Sequence, residues 1–220
     1  MMKTEKRKLW IVGYYNYTVV LTYMSLLSAV TGIIFAAQHA VQAAVICLMI
    51  SGICDMFDGT VARTRKRTED EKAFGAHIDS LSDLVAFGVL PAMILYALGG
   101  DAVWNTIIMC LFVLAALIRL AYFDVQEMHK IDNGEKRLYF NGLPVTNTAL
   151  ILPGLLLFNL LFGFDMVVYY SICLVGVMLA FVIPFKLKKA YMPALLFWAL
   201  LGVVIFTFVC IFGSGFDPVI

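Results

Sequence analysis

Charge is scarce in this sequence. Only 14% of its 220 residues are Asp, Glu, Lys or Arg, 62% are hydrophobic, and the mean hydropathy is +0.92. Water-soluble domains are about a quarter charged, and disordered chains are poor in apolar residues, so both classes are excluded. A basic excess is also missing: 16 Lys and Arg stand against 15 Asp and Glu, which leaves no electrostatic footprint for nucleic acid. The five cysteines, Cys47, Cys54, Cys110, Cys173 and Cys210, are odd in number and scattered through apolar runs. That excludes a disulfide framework and suits free thiols packed as small hydrophobes. The three histidines are dispersed, with His39 at a loop edge, His77 off the main acidic stripe and His129 in a loop, so no histidine-based metal site is expected. No internal repeat is visible. The remaining class is an integral membrane protein.

What the sequence has in abundance is apolar runs. A helix needs about 20 mainly apolar residues to cross the ~30 Å hydrocarbon layer. Seven such runs are expected at 17–37, 40–62, 75–98, 102–124, 143–163, 165–184 and 192–213. The fifth and sixth read as one hairpin with Gly163-Phe164-Asp165 at its tip. Residues 1–16 are basic and aromatic and are expected to lie at the interface. The fold class is therefore an all-α polytopic helical bundle, a single membrane-embedded domain over 1–220, with six core spans and a seventh at 192–213.

Positive charge orients it. Lys3, Lys6, Arg7 and Lys8 precede span one, and Arg63, Arg65, Lys66, Arg67 and Lys72 lie between spans two and three. Lys130, Lys136 and Arg137 lie between four and five, and Lys186, Lys188 and Lys189 between six and seven. With Arg119 near the inward end of span four, every positive residue falls on one side, so the N-terminus is expected in the cytoplasm and the C-terminus outside. Apart from Arg63, the basic residues between spans two and three read best as this topology signal.

Four acids break the apolar pattern. Asp55 and Asp58 lie in span two, Asp79 and Asp83 in span three, all one to two turns below the cytoplasmic surface. Intramembrane carboxylates are costly and raise a functional hypothesis by default. Asp55 and Asp58 share one helix face, as do Gly75, Asp79 and Asp83. Opposed, the two faces gather four carboxylates that repel one another unless cations sit between them. Mg²⁺ or Mn²⁺ suits such all-oxygen ligands and also binds phosphates, and a two-metal site that clamps a pyrophosphate is the natural reading. Gly59 and Ala62 remove bulk from the Asp55 face, Gly75 does the same beside Asp79, and Arg63 offers a fork for phosphate. Arg119, within span four at nearly the carboxylate depth, is expected to meet a phosphate or a substrate carboxylate.

Asp55-x-x-Asp58-Gly59-x-x-Ala62-Arg63 followed by Gly75-x-x-x-Asp79-x-x-x-Asp83 resembles the signature of the CDP-alcohol phosphotransferases, membrane enzymes that displace CMP from a CDP-alcohol. The family's usual spacer between the Arg and the second Gly is eight residues, whereas Thr64 to Phe74 makes eleven. The resemblance implies a dimer-forming bundle of six core helices, metal held by Asp55, Asp58 and Asp79, and Asp83 both at the metal site and acting as general base. It also implies Gly59, Ala62, Arg63 and Gly75 as the CDP-lipid side, with membrane lipids around the bundle and no nucleic-acid partner. A bacterial cytoplasmic membrane is the expected location.

Within the family, Phe74 to Ala92, Arg119 to Val125 and Asn141-Gly142-Leu143-Pro144 are similar to the CDP-diacylglycerol–serine O-phosphatidyltransferase subgroup. CDP-diacylglycerol and serine are the substrates that similarity implies. Tyr122 and Asp124 stand where the subgroup usually has Arg and Asn, and Ser25 stands near where an Asn is common. Another acceptor, glycerol 3-phosphate or an inositol phosphate, is the alternative within the class. A cation transporter is the alternative outside it, but that expects polar groups on both sides of the midplane and repeated or broken helices. The loop 125–142, with a turn at Asp132-Asn133-Gly134, is expected to close over the alcohol. Span five is expected to begin at Gly142-Leu143-Pro144 with its N–H groups toward the anionic pocket.

Overall fold

The computed structural model describes residues 13–62, 64–133, 139–141, 143–184, 186–188 and 192–216. Residues 1–12 of the expected interfacial segment, and Arg63, lie outside them. Apolar sequence becomes helix here because a backbone in lipid has no water to bond and satisfies itself within each segment. The helices are α1 (Val20–Ala37), α2 (Val41–Ala62), α3 (Glu69–Asp83), α4 (Leu90–Ala97), α5 (Val103–Asn133), α6 (Thr148–Phe162), α7 (Met166–Val182) and α8 (Met192–Phe212). Among the described residues, six stretches are long and apolar enough to cross a membrane: Tyr17–Ala37, Val41–Ala62, Glu69–Ala97, Val103–Gln126, Val145–Phe162 and Trp198–Phe216, with Met166–Val182 a shorter apolar helix. The expected all-α polytopic bundle is found, and the chain is an integral membrane protein.

The third span is one continuous helical rod whose middle, Leu84–Val89, is wound as a π-helix. The cause is local. Pro91 has no N–H for the carbonyl one turn back and its ring crowds that carbonyl, and the wider turn absorbs the conflict, with the Leu90 N–H bonding to the Val85 carbonyl instead.

The core lies where these rods meet: Phe87, Leu48, Leu90, Ile94, Phe112, Leu152 and Tyr170 are fully buried. Outward-facing Leu27, Trp104, Leu161 and Ile172 stay exposed, as expected where lipid is the solvent. Small residues let the backbones close in. A methyl group on Gly52 of α2 would lie 2.5 Å from Ala149 Cβ of α6, and one on Gly32 of α1 would lie 2.8 Å from Cys47 Cβ of α2. The five cysteines are all free, as expected.

The α6–α7 hairpin turns where expected. Gly163 ends α6 at φ 68°, and Asp165 caps α7 by accepting from the Val168 N–H at 2.9 Å. Span seven is real as a helix, and Gln42 at the start of α2 donates through Nε2 to the Val209 and Cys210 carbonyls of α8 at 3.0 and 3.1 Å.

Two expectations fail at helix ends. The chain does not leave its helix at 125: α5 runs 31 residues to Asn133, so Asp132 and Asn133 are helical rather than a turn. Hydropathy falls there because the helix leaves the apolar layer, and its backbone bonds persist. Gly142 lies outside the described residues, and span five begins at Val145, directly after Leu143-Pro144, but the N–H expected to face the pocket is not free there. A 3-10 turn, Val145–Asn147, precedes α6, and the Leu143 N–H is spent on the Ala180 carbonyl at 3.2 Å. Beyond the helices, Tyr139–Asn141 (β1) pairs antiparallel with Lys186–Lys188 (β2), Phe140 opposite Leu187.

Candidate functional site

The two acidic half-motifs meet. One carboxylate oxygen from each of Asp55, Asp58 and Asp79 lies within 4.8 Å of the others. Asp55 and Asp58 arrive from the last two turns of α2 and Asp79 from the second half of α3, so the i, i+3 spacing delivers two acids to one face and the neighbouring helix the third. Asp83, one turn after Asp79, is 8% exposed, and its carboxyl touches that of Asp55. An octahedral Mg²⁺ puts opposite ligands about 4.2 Å apart at its 2.0–2.1 Å bond length, so three oxygens already this close fit one hard cation with little movement. The donor set, all carboxylate, fits Mg²⁺ or Mn²⁺ and not a soft metal.

The glycines are disposed as their spacing suggests. Among the described residues, no atom lies within 4 Å of where a side chain on Gly59 would begin, and at Gly75 the nearest is an Arg67 guanidinium nitrogen at 3.2 Å. Ala62, at the end of α2, is half-buried.

A third helix completes the site, and sequence reasoning missed it. Thr22 of α1 donates through Oγ1 to Asp58 Oδ2 at 3.4 Å, and its carbonyl accepts from Ser82 Oγ at 3.3 Å. One turn further on, Ser25 and Ser51 exchange hydroxyl-to-carbonyl bonds at 3.4 and 3.0 Å, fixing α1 to α2. The available signal was the pair of small polar residues three apart in an apolar span.

Ahead of α1, Tyr17 shares a hydrogen bond with Thr64 Oγ1 at 3.0 Å, and Tyr14 meets Phe74 edge to face with ring centroids 5.5 Å apart. The chain entering span one therefore lies against the connection that carries the second half-motif.

Arg119 is 5% exposed, its Nε donates to the Leu143 carbonyl at 3.1 Å, and its guanidinium stands 5.8 Å from the Phe123 ring centroid. One turn further along α5, Asp124 Oδ1 accepts from Ser80 Oγ at 2.8 Å. Ser80 and Asp124, with His77, Leu81, Leu84, Leu117 and Leu120, line a cavity of about 430 Å³ between the third span and α5, on a face that none of the four site aspartates lines. This contact between α3 and α5 comes from helix packing.

The comparisons agree with this frame. A CDP-diacylglycerol–serine O-phosphatidyltransferase of Saccharomyces cerevisiae is 36% identical over 135 residues, 60% of this chain and 48% of its own length. One of Mycobacterium bovis is 29% identical over 176 residues, 78% of this chain and 60% of its own. An archaetidylserine synthase of Methanothermobacter thermautotrophicus is 35% identical over 130 residues, 57% of this chain and 52% of its own. The chain thus spans about half the length of the curated relatives it matches. The family profile described as CDP-alcohol phosphatidyltransferase matches residues 15–213, a stretch that holds all four aspartates. The chain belongs to the CDP-alcohol phosphatidyltransferase family.

Proposed function

We propose that this protein transfers the phosphatidyl group of CDP-diacylglycerol to the hydroxyl of serine, giving phosphatidylserine and CMP, with Mg²⁺ or Mn²⁺ at the aspartates. The convergence of Asp55, Asp58 and Asp79 within 4.8 Å carries the reading. Serine is the acceptor in the names of the two CDP-diacylglycerol relatives.

When bound, divalent cations neutralise the diphosphate and stabilise the departing phosphate oxygen. The chain supplies the rest. Asp55, Asp58 and Asp79 hold the cations, and Thr22 steadies Asp58. Gly59 and Ala62 leave room for the donor on the α2 face, Gly75 leaves room on the α3 face, and Arg63 adds a phosphate fork. Asp83 takes the proton from the serine hydroxyl as its oxygen forms the new bond to phosphorus and the bond from phosphorus to the CMP oxygen breaks. Arg119 is assigned to the acceptor carboxylate or a phosphate. No nucleophilic residue is required, because phosphoryl transfer runs on positioning and charge neutralisation. The site opens to the cytoplasm, on the side of the basic loops, and the enzyme works as a homodimer.

The test is CMP release by the purified, detergent-solubilised protein from CDP-diacylglycerol with Mn²⁺ or Mg²⁺ and, in separate reactions, serine, glycerol 3-phosphate, inositol phosphate or no acceptor. Release that needs both serine and metal, with phosphatidylserine as product, is expected. Release driven by another alcohol would overturn the acceptor, and release that survives chelation would overturn the metal site.

A further inference from the structure

The connection between α2 and α3 carries Arg65, Lys66 and Arg67, which the sequence assigns to membrane topology. The structure separates the three. Arg65 pairs with Glu71 at 3.7 Å and Lys66 is exposed to solvent. Arg67 is half-buried, and among the described residues it has neither an ion pair nor a hydrogen bond. Its Nη1 instead lies 3.2 Å from where a side chain on Gly75 would begin. A guanidinium drawn partly out of water with no anion beside it among the described residues is costly to hold, and such a group marks a place where an anion is expected to arrive.

Its position is fixed by its neighbours. Thr68, the next residue, caps α3 by accepting from the Glu71 N–H at 3.2 Å, and Glu71 Oε2 accepts from the Thr68 N–H at 3.0 Å. The same Glu71 holds Arg65, so the backbone of Arg67 is pinned on both sides. Gly75 precedes Asp79 by one turn, where side-chain origins stand about 5–6 Å apart. Arg67 therefore sits one turn outward from the aspartate cluster, and Asp83 one turn inward.

We propose that Arg67 is a ligand of the donor's nucleotide-side phosphate, the one that leaves with CMP. The assignment rests on the CDP-alcohol reading of the aspartate site. If the phosphorus under attack lies between the metal-holding acids and Asp83, the second phosphate of the diphosphate extends outward toward Gly75. Negative charge grows on that phosphate as its bridging bond to the reacting phosphorus breaks, and a forked guanidinium fixed beforehand meets it with charge-assisted hydrogen bonds. Glycine at 75 is what lets the fork cross the helix at this point. Arg67 lies in the connection from Thr64 to Phe74 and is not one of the fixed positions of the aspartate motif.

The experiment measures CMP binding calorimetrically to the full-length, detergent-solubilised protein with Mn²⁺ present, alongside KM for CDP-diacylglycerol and for serine. Arg67→Ala should weaken CMP binding about tenfold or more, the scale of a charge-assisted hydrogen bond, and raise KM for the donor in proportion while KM for serine holds. Lys66→Ala, one residue away and solvent-exposed, should change neither. Gly75→Ala fills the 3.2 Å gap and should reproduce part of the loss, and adding it to Arg67→Ala should cost little more. Equal thermal unfolding midpoints exclude misfolding as the cause. Unchanged CMP affinity in a folded Arg67→Ala protein, or equal losses in Arg67→Ala and Lys66→Ala, would overturn the assignment and leave the enzyme reading standing. A wild-type protein that binds neither CMP nor CDP-diacylglycerol with metal would overturn both.

Discussion

Asp83→Asn is the most informative substitution in this site, because the four aspartates are not equivalent. Asp55, Asp58 and Asp79 converge within 4.8 Å, while Asp83 stands one turn deeper, 8% exposed and touching Asp55. An asparagine there keeps the size and can still donate to Asp55, so neither packing nor the three converging oxygens should change. What it loses is the capacity to take a proton. General-base catalysis is worth about 10²–10⁴ in rate, or about 2.7–5.5 kcal/mol of barrier at 1.36 kcal/mol per factor of ten. Single-turnover CMP release at saturating serine and Mn²⁺ should fall by that range. Mn²⁺ affinity, read by titration calorimetry, should stay within a few-fold of wild type, and CMP should still bind. The unfolding midpoint without metal should not drop, since one of four mutually repelling charges has been removed. A loss of turnover smaller than tenfold would refute the base assignment. A parallel collapse of Mn²⁺ affinity and turnover would make Asp83 a ligand first.

Gly59→Leu should fold normally, because no described residue lies within 4 Å of that position, yet lose donor turnover by at least about tenfold if the space belongs to the substrate; normal KM for CDP-diacylglycerol would defeat that use of the space. Gly52→Ala is the converse, a steric fault away from the acids: its methyl would sit 2.5 Å from Ala149 Cβ, and overpacking of this kind costs about 1–3 kcal/mol, read as a lowered unfolding midpoint and recovered in part by Ala149→Gly. Thr68→Ala removes the α3 cap and should cost about 1 kcal/mol of stability in denaturant titration; no change would show that α3 is held by packing alone.

The aspartate site was largely legible because its geometry is local. The spacings 55-58 and 75-79-83 each fit within one helix, so one pairing of α2 with α3 sufficed to bring them together. Span existence was legible too, since apolar length measures the solvent a segment needs. Span ends were not. Gln126, Glu127 and Lys130 lower hydropathy without ending a helix, so α5 outlives its apolar stretch. The Leu84–Val89 π segment left only Pro91 as a trace. Thr22 against Asp58 and Ser80 against Asp124 are contacts between helices distant in sequence, and no periodicity within one helix encodes them.

The short ribbon between β1 and β2 constrains membrane crossing by parity. Its two strands share backbone hydrogen bonds, so residues 139–141 and 186–188 occupy the same side of the bilayer. Between them, among the described residues, lie a short 3-10 turn, α6 and α7. The chain must therefore cross an even number of times in that interval: if α6 passes through, α7 must return. Met166–Val182, 17 residues and about 26 Å long, is just short of the ~30 Å apolar layer. If α7 crosses, the bilayer must thin locally around it or the flanking residues on either side must complete the passage. Two strands of three residues thus tie the passage of α7 to that of α6, a constraint that helix length alone does not supply.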